Sequence, residues 1–238
     1  MKKAIVAGAT SGIGRELARL LAGASYRVGI TGRRLHLLEE LKSENPAAYV
    51  ISSFDIRCPG EAAEKLEALA AELGGLDLLV ISSGTGDINP GLTFGTEKET
   101  IDTNVTGFTS VAGWAYNYFG NQGHGHLVAV TSLGGIRGSG EVPAYNASKA
   151  YQINYLEGLR QRARRAGSGV HITDIRPGLV NTAMAKGDGL FWVMPLNKAA
   201  SQIYRAIVRK KRVAVITRRW RIISILLKIL PRTIYERL

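Results

Sequence analysis

The chain predicts an α/β fold, a single doubly wound parallel sheet of about seven strands with helices on both faces. Three observations carry that expectation. Short runs rich in β-branched residues alternate with longer amphipathic stretches along the whole chain. The short runs are continuously apolar rather than alternating, as strands buried on both faces are. The 238 residues suit one well-buried domain, with no internal repeat or linker to divide them.

The strands fall at 2–8, 26–32, 48–54, 76–83, 125–132, 170–178 and 212–217. Helical periodicity fills the intervals at 11–22, 36–44, 61–73, 96–119, 144–166 and 197–210. Right-handed crossovers between such strands leave a ligand crevice at their carboxyl ends. Residues 1–217 form the expected body, with a lid near 183–196, and 218–238 form a cationic amphipathic helical extension.

Composition narrows the class. With 45% hydrophobic and 21% charged residues the chain is not a disordered one. The one cysteine, Cys58, excludes an internal disulfide, suits a reducing compartment and reads as a buried or indifferent thiol. The N-terminal apolar run ends at Gly8, too early for a signal peptide, so a cytoplasmic setting is expected. The net charge of +12 is uneven: residues 205–238 hold eleven Lys/Arg and one acid, and the first 204 hold 20 basic and 18 acidic residues. Arguments from charge therefore concern the tail.

Between the first strand and the first helix lies Gly8-Ala-Thr10-Ser11-Gly12-Ile13-Gly14. Glycines at such a turn let main-chain N–H groups approach a pyrophosphate, which a helix N-terminus also attracts. The second strand ends at Gly32-Arg33-Arg34, where NAD-binding domains place a carboxylate for the ribose hydroxyl. Two guanidinium groups suit a 2′-phosphate instead, which favours NADP(H).

Tyr145 and Lys149 stand one helical turn apart and leave the same face. Free in water their pKa values are about 10 and about 10.4. Held together, the cation is expected to lower the phenol, which then serves as a general acid or base. Neither Tyr151 nor Tyr155 has that spacing. His124 and His126 read as solvated loop residues leading into the fifth strand, with no ligand pattern for a metal around them.

Across about residues 2–216 the chain resembles the short-chain dehydrogenase/reductase family, whose fold is of the Rossmann type. The Gly8, Gly12 and Gly14 turn, Tyr145 with Lys149, and Arg176-Pro177-Gly178 follow the family's order and approximate spacing. The resemblance implies that Tyr145 is the catalytic acid/base. Lys149 would lower its pKa and bind the nicotinamide ribose. Ser132 would hydrogen-bond a substrate carbonyl, and Asn104 would help hold a proton-relay water. It also implies that Asp55 and Ile56 meet the adenine, that Gly84 lets the cofactor approach, and that Pro177, Gly178 and Thr182 meet the carboxamide. Ser82-Ser83-Gly84 departs from the family's Asn-Ala-Gly, so the asparagine that braces the sheet is missing. A homodimer or homotetramer built on the two long helices is likewise expected by resemblance.

The implied activity is NADP(H)-dependent interconversion of a carbonyl and an alcohol. An alternative is a nucleotide-sensing protein that keeps the fold without turnover. In 183–196, Gly187 and Gly189 read as hinges, and Met184, Phe191, Trp192 and Met194 either cover an apolar substrate or pack in the core. Arg137 and Glu141 stand in a loop that faces the pocket. For 218–238 two readings stay open. One is an in-plane helix at an anionic membrane surface, such as the inner face of the cell membrane, with arginines and Lys228 flanking an aliphatic face that carries Trp220. The other is a helix packed on the pocket or on a second subunit. A lipid-linked substrate would join the membrane and enzyme readings. Nucleic acid is not expected, because the Ile/Leu face offers no reading surface.

Overall fold

The computed structural model describes residues 1–185 and 191–237. Its strands are β1 (Lys3–Ala7), β2 (Arg27–Gly32), β3 (Tyr49–Ser53), β4 (Leu78–Ile81), β5 (His124–Val130), β6 (Gly169–Pro177) and β7 (Val213–Ile216). They form one parallel sheet in the order β3-β2-β1-β4-β5-β6-β7. Consecutive residues of β1 serve opposite cores. Ile5 and Ala7 join the cluster under α3 (Pro59–Leu73), α5 (Phe108–Gln122) and α6 (Pro143–Arg165). Ala4 and Val6 join the cluster under α1 (Gly12–Gly23), α2 (Leu35–Glu44) and α7 (Leu196–Val208). A strand buried on both sides has no polar face to show, which is why these segments read as unbroken apolar runs.

The chain order reverses between β1 and β4, so the loops after these two strands diverge and leave a crevice at their carboxyl ends. The long helix expected at 96–119 is interrupted. α4 (Phe94–Ile101) passes into a π-helical turn, Asp102–Gly107, before α5. Such turns widen the helix and re-aim its side chains. Here the turn carries fully buried Asn104 inward, and Gly107 packs so closely that an added Cβ would lie 2.7 Å from the Ile56 carbonyl oxygen. Beyond β7, α8 (Arg218–Ile229) stops short of Pro231, and α9 (Arg232–Tyr235) restarts after it.

The histidine expectation needs correction. His126 lies within β5, not in a loop, and is buried with Nε2 2.8 Å from the Thr173 hydroxyl. Pairing with β6 covers it. Cys58 is a free, exposed thiol.

Candidate functional site

The crevice at the switch point is a cleft of about 840 Å3. One end is built by the turn after β1. Gly8 holds φ at +91°, and Gly14 stacks on it so tightly that an added Cβ would lie 2.0 Å from the Gly8 carbonyl oxygen. That contact seats the start of α1 directly on the turn. The Arg34 guanidinium folds onto the same loop, donating to Thr10 Oγ1 at 2.7 Å and Ser11 Oγ at 2.9 Å. Arg33 is exposed, with a nitrogen 3.8 Å from Asp55. Asp55 accepts from the main-chain and side-chain nitrogens of Arg57 at 2.7–3.0 Å. Partial burial opposes ionisation of Asp55, but the Arg57 hydrogen bonds outweigh it and hold the carboxyl below its usual range. Arg57 joins the site by a pairing that only its place two residues after Asp55 signals in the sequence.

The other end is fixed by α6. Pro143 opens the helix, and the Glu97 carboxylate accepts from the Ala144 N–H at 3.1 Å, capping the turn that presents Tyr145. Asn146 ties α6 to the loop after β5 by donating to the carbonyls of Gly134 (2.6 Å) and Arg137 (2.9 Å). Ser132 stands at the base of that loop, its Oγ accepting from the Gly134 N–H at 3.0 Å. Tyr145, Ser132 and Lys149 all line the cleft.

The expected electrostatics of the Tyr–Lys pair are reversed. Lys149 Nζ lies 5.8 Å from the Tyr145 ring centroid, but it donates elsewhere, to the Val130 carbonyl (3.2 Å) and Gln152 Oε1 (3.0 Å). Burial pulls the Lys149 amine down to about 8 against the attraction of Asp174. Burial pushes the Tyr145 phenol up, opposed by its hydrogen bond with Ser132. Desolvation is the largest influence on both groups.

Asn104 and Gly14 are the members of the expected set that stand behind the cleft wall rather than on it. The Asn104 side chain pairs with both main-chain groups of Thr85, accepting from its N–H at 2.9 Å and donating to its carbonyl at 2.7 Å. Its own main-chain carbonyl accepts from Gln152 Nε2 at 2.8 Å. Gln152, only 1% exposed, therefore bridges Asn104 and Lys149, a role the sequence reading did not give it. The remaining expected residues line the cleft: Gly8, Thr10, Ser11, Gly12 and Ile13, Arg33 and Arg34, Asp55 and Ile56, Gly84, and Pro177, Gly178 and Thr182.

The donor set suits a dinucleotide. One cleft joins guanidinium groups, a glycine turn at a helix N-terminus, and a lysine–tyrosine pair beside the end of β5. At the far end Met184 and Trp220 line the cleft, while Phe191 and Trp192 stay largely exposed and meet Trp220 at 5.4 and 6.2 Å between centroids. Met194 packs on the core beside α7. Gly187 and Gly189 lie outside the described residues. Arg137 does not turn to the pocket, and instead donates to the main-chain carbonyls of Leu227 (2.8 Å) and Leu230 at the end of α8.

Fold and cleft together define an α/β protein of the doubly wound class with its crevice at the switch point. The family model described as short chain dehydrogenase matches residues 2–189, and the chain belongs to that family of oxidoreductases. It is 37% identical over 215 residues to an uncharacterized oxidoreductase of Myxococcus xanthus, covering 87% of this chain and 84% of the relative. It is 31% identical over 179 residues to the NADP-dependent 3-hydroxy acid dehydrogenase YdfG of Escherichia coli K12, covering 74% and 71%. Among solved structures, the closed form of serine dehydrogenase complexed with NADP+ superimposes with a TM-score of 0.81 at 25% identity, covering 90% of this chain and 94% of that one.

Proposed function

We propose that the protein is an NADP(H)-dependent oxidoreductase that interconverts a carbonyl and a secondary alcohol. The observation that carries this reading is the convergence of Tyr145, Ser132 and Lys149 on the cleft whose other end holds the glycine turn and Arg34. Bound there, a nicotinamide cofactor supplies or accepts the hydride. Arg34 and Arg33 would hold a 2′-phosphate, the turn at Gly12 the pyrophosphate, and Lys149 the nicotinamide ribose.

The chain's own residues handle the proton. As a carbonyl is reduced, negative charge grows on its oxygen, and hydroxyl donors aimed at that atom stabilise it. Tyr145 gives that oxygen its proton, and Ser132 donates to it as well. A phenol whose pKa is pushed up stays protonated through neutral pH, the state a donor needs. The NADP+-bound neighbour and the NADP-dependent relative support the cofactor choice, as does a β2 end that carries Gly32 and two arginines in place of an acid.

Fluorescence titration with NADPH and NADH, followed by a screen of carbonyl compounds for NADPH consumption, tests the reading. Preferential NADPH binding is expected, with turnover that falls by about 10²-fold or more in Tyr145→Phe while binding stays within about threefold. Nucleotide binding without consumption of NADPH by any carbonyl would favour the nucleotide-sensing alternative.

A further inference from the structure

The helix α8 has two apolar sides, and only one of them is used by the fold. Inward, Trp220 is 8% exposed and lies flat on Gly178, where an added Cβ would meet its ring at 2.3 Å. Of the two readings of the tail, packing on the pocket holds for Trp220, which sits on the end of β6 and forms cleft wall rather than part of an outward aliphatic face. Ser224 is buried on the same side. Outward, Ile222, Ile225, Leu226 and Ile229 are 69%, 55%, 49% and 71% exposed. Their spacing is i, i+3, i+4, i+7, so they form one continuous stripe along the helix.

At about 100° per residue, Arg219 falls beside one edge of that stripe, and Arg221 and Lys228 beside the other. All three are exposed, and α8 carries no acidic residue. Across the whole of 218–238 there are six basic residues and one acid, Glu236. Among the described residues no helix is long and apolar enough to cross a membrane. At 12 residues α8 extends about 18 Å, well short of a ~30 Å hydrocarbon core.

We propose that the outer face of α8 docks on an anionic lipid bilayer, lying in its plane with the isoleucine stripe among the acyl chains. Charge decides between occupants. A second copy laid face to face would oppose arginine and lysine to arginine and lysine with no carboxylate on the helix to relieve them, whereas anionic headgroups neutralise both edges. Because the opposite side of α8 walls the cleft, docking sets the substrate end of the cleft at the membrane surface. The cleft wall there fits a substrate drawn from the bilayer. Among the described residues Leu133, Ile88, Met184 and Trp220 line it, and the charged side chains that line it beside them are Asp87 and Glu141.

Flotation of the full-length protein with vesicles tests this without any turnover, so it stands or falls apart from the proposed reaction. Phosphatidylcholine vesicles with about 30% phosphatidylglycerol are expected to bind at least tenfold better than phosphatidylcholine alone, and binding should weaken markedly between about 0.05 and 0.5 M salt. Ile225→Asp with Ile229→Asp should abolish it. Arg221→Gln with Lys228→Gln, at exposed positions that do not bear on folding, should cut it about tenfold or more and flatten its salt dependence. NADPH affinity, measured on every variant, reports whether the cleft is intact. The proposal is overturned if anionic vesicles do not bind, or if neither double variant changes binding. It is equally overturned if the isoleucine variant instead dissociates an oligomer in light scattering while vesicle binding is unchanged, which would assign the stripe to a second copy.

Discussion

Gln152 joins the Lys149 amine to the main chain of Asn104, its Oε1 accepting from Nζ at 3.0 Å and its Nε2 donating to the carbonyl at 2.8 Å. The acceptor favours the charged form of a lysine that burial has already pulled down to about 8. In Gln152→Leu that support is gone, and the ammonium form becomes harder to hold. The alkaline limb of the reduction rate should move down by about one pH unit, with kcat falling more than KM rises. Gln152→Glu keeps the acceptor and adds a charge, so the limb should return to or pass its wild-type position. A role confined to packing would lower stability in both variants and leave the limb in place.

The two proton-handling groups also set the direction of pH dependence in the wild type. Below about 8 Lys149 is protonated, and the raised Tyr145 phenol keeps its proton as well, so carbonyl reduction should hold level through neutral pH. Above about 8 the lysine gives up its charge and reduction should decline. Alcohol oxidation needs the deprotonated phenol together with the charged lysine, so it should climb as pH rises toward about 8 and level off above it. Profiles of kcat/KM in both directions check this; a reduction rate flat to pH 10 would remove Lys149 from the account.

Arg34 reaches back over the glycine turn to Thr10 and Ser11, which sets its guanidinium at the end of the cleft proposed to take the 2′-phosphate. Charge-assisted hydrogen bonds of this kind contribute about 1.5–3 kcal/mol, or roughly 10–100-fold in affinity. Arg34→Ala should weaken NADPH by that factor and leave NADH within about threefold. Arg33 is more exposed and already near Asp55, so Arg33→Ala should cost less. Equal losses for both nucleotides would mean that Arg34 supports the loop rather than a 2′-phosphate.

His126 supplies a stability test. The Thr173 hydroxyl donates to the Lys211 carbonyl at 2.6 Å, so it accepts from His126, which fixes a neutral ring protonated at Nε2. Burial, then His171 and Lys210, hold its pKa down to about 4 from 6.5. The unfolded chain binds the proton first, so the stability this ring contributes is complete above 6.5 and is lost as pH falls through about 4. The loss amounts to about 3 kcal/mol across that window. Urea unfolding at pH 7 and pH 4.5 should show wild type losing at least about 1 kcal/mol more than His126→Gln. Parallel losses would refute the buried, neutral assignment.

Much of this was legible in the sequence because burial on two faces leaves a plain mark. β1 to β7 were readable as apolar runs, and Tyr145 with Lys149 by their one-turn spacing. What escaped depends on depth, which spacing does not reveal. Gln152 follows Lys149 by three residues, as close on the helix as Tyr145 is, yet a glutamine on a polar helix looks solvated until α6 is seen against the π turn that brings up Asn104. The pKa of Tyr145 was read with the wrong sign for the same reason: a cation one turn away is visible in the sequence, but the desolvation that outweighs it is not.

Arg137 grips α8 through the carbonyl oxygens of Leu227 and Leu230, atoms that every residue type possesses. The seam between the loop after β5 and the tail is therefore blind to side-chain identity along the outer stripe. That makes α8 a modular part. Its outward residues can be exchanged, by drift or by design, while the inner wall at Trp220 keeps its position over Gly178. If the stripe docks as proposed, a library confined to Ile222, Ile225, Leu226 and Ile229 would retarget where the protein works without rewriting what its cleft accepts.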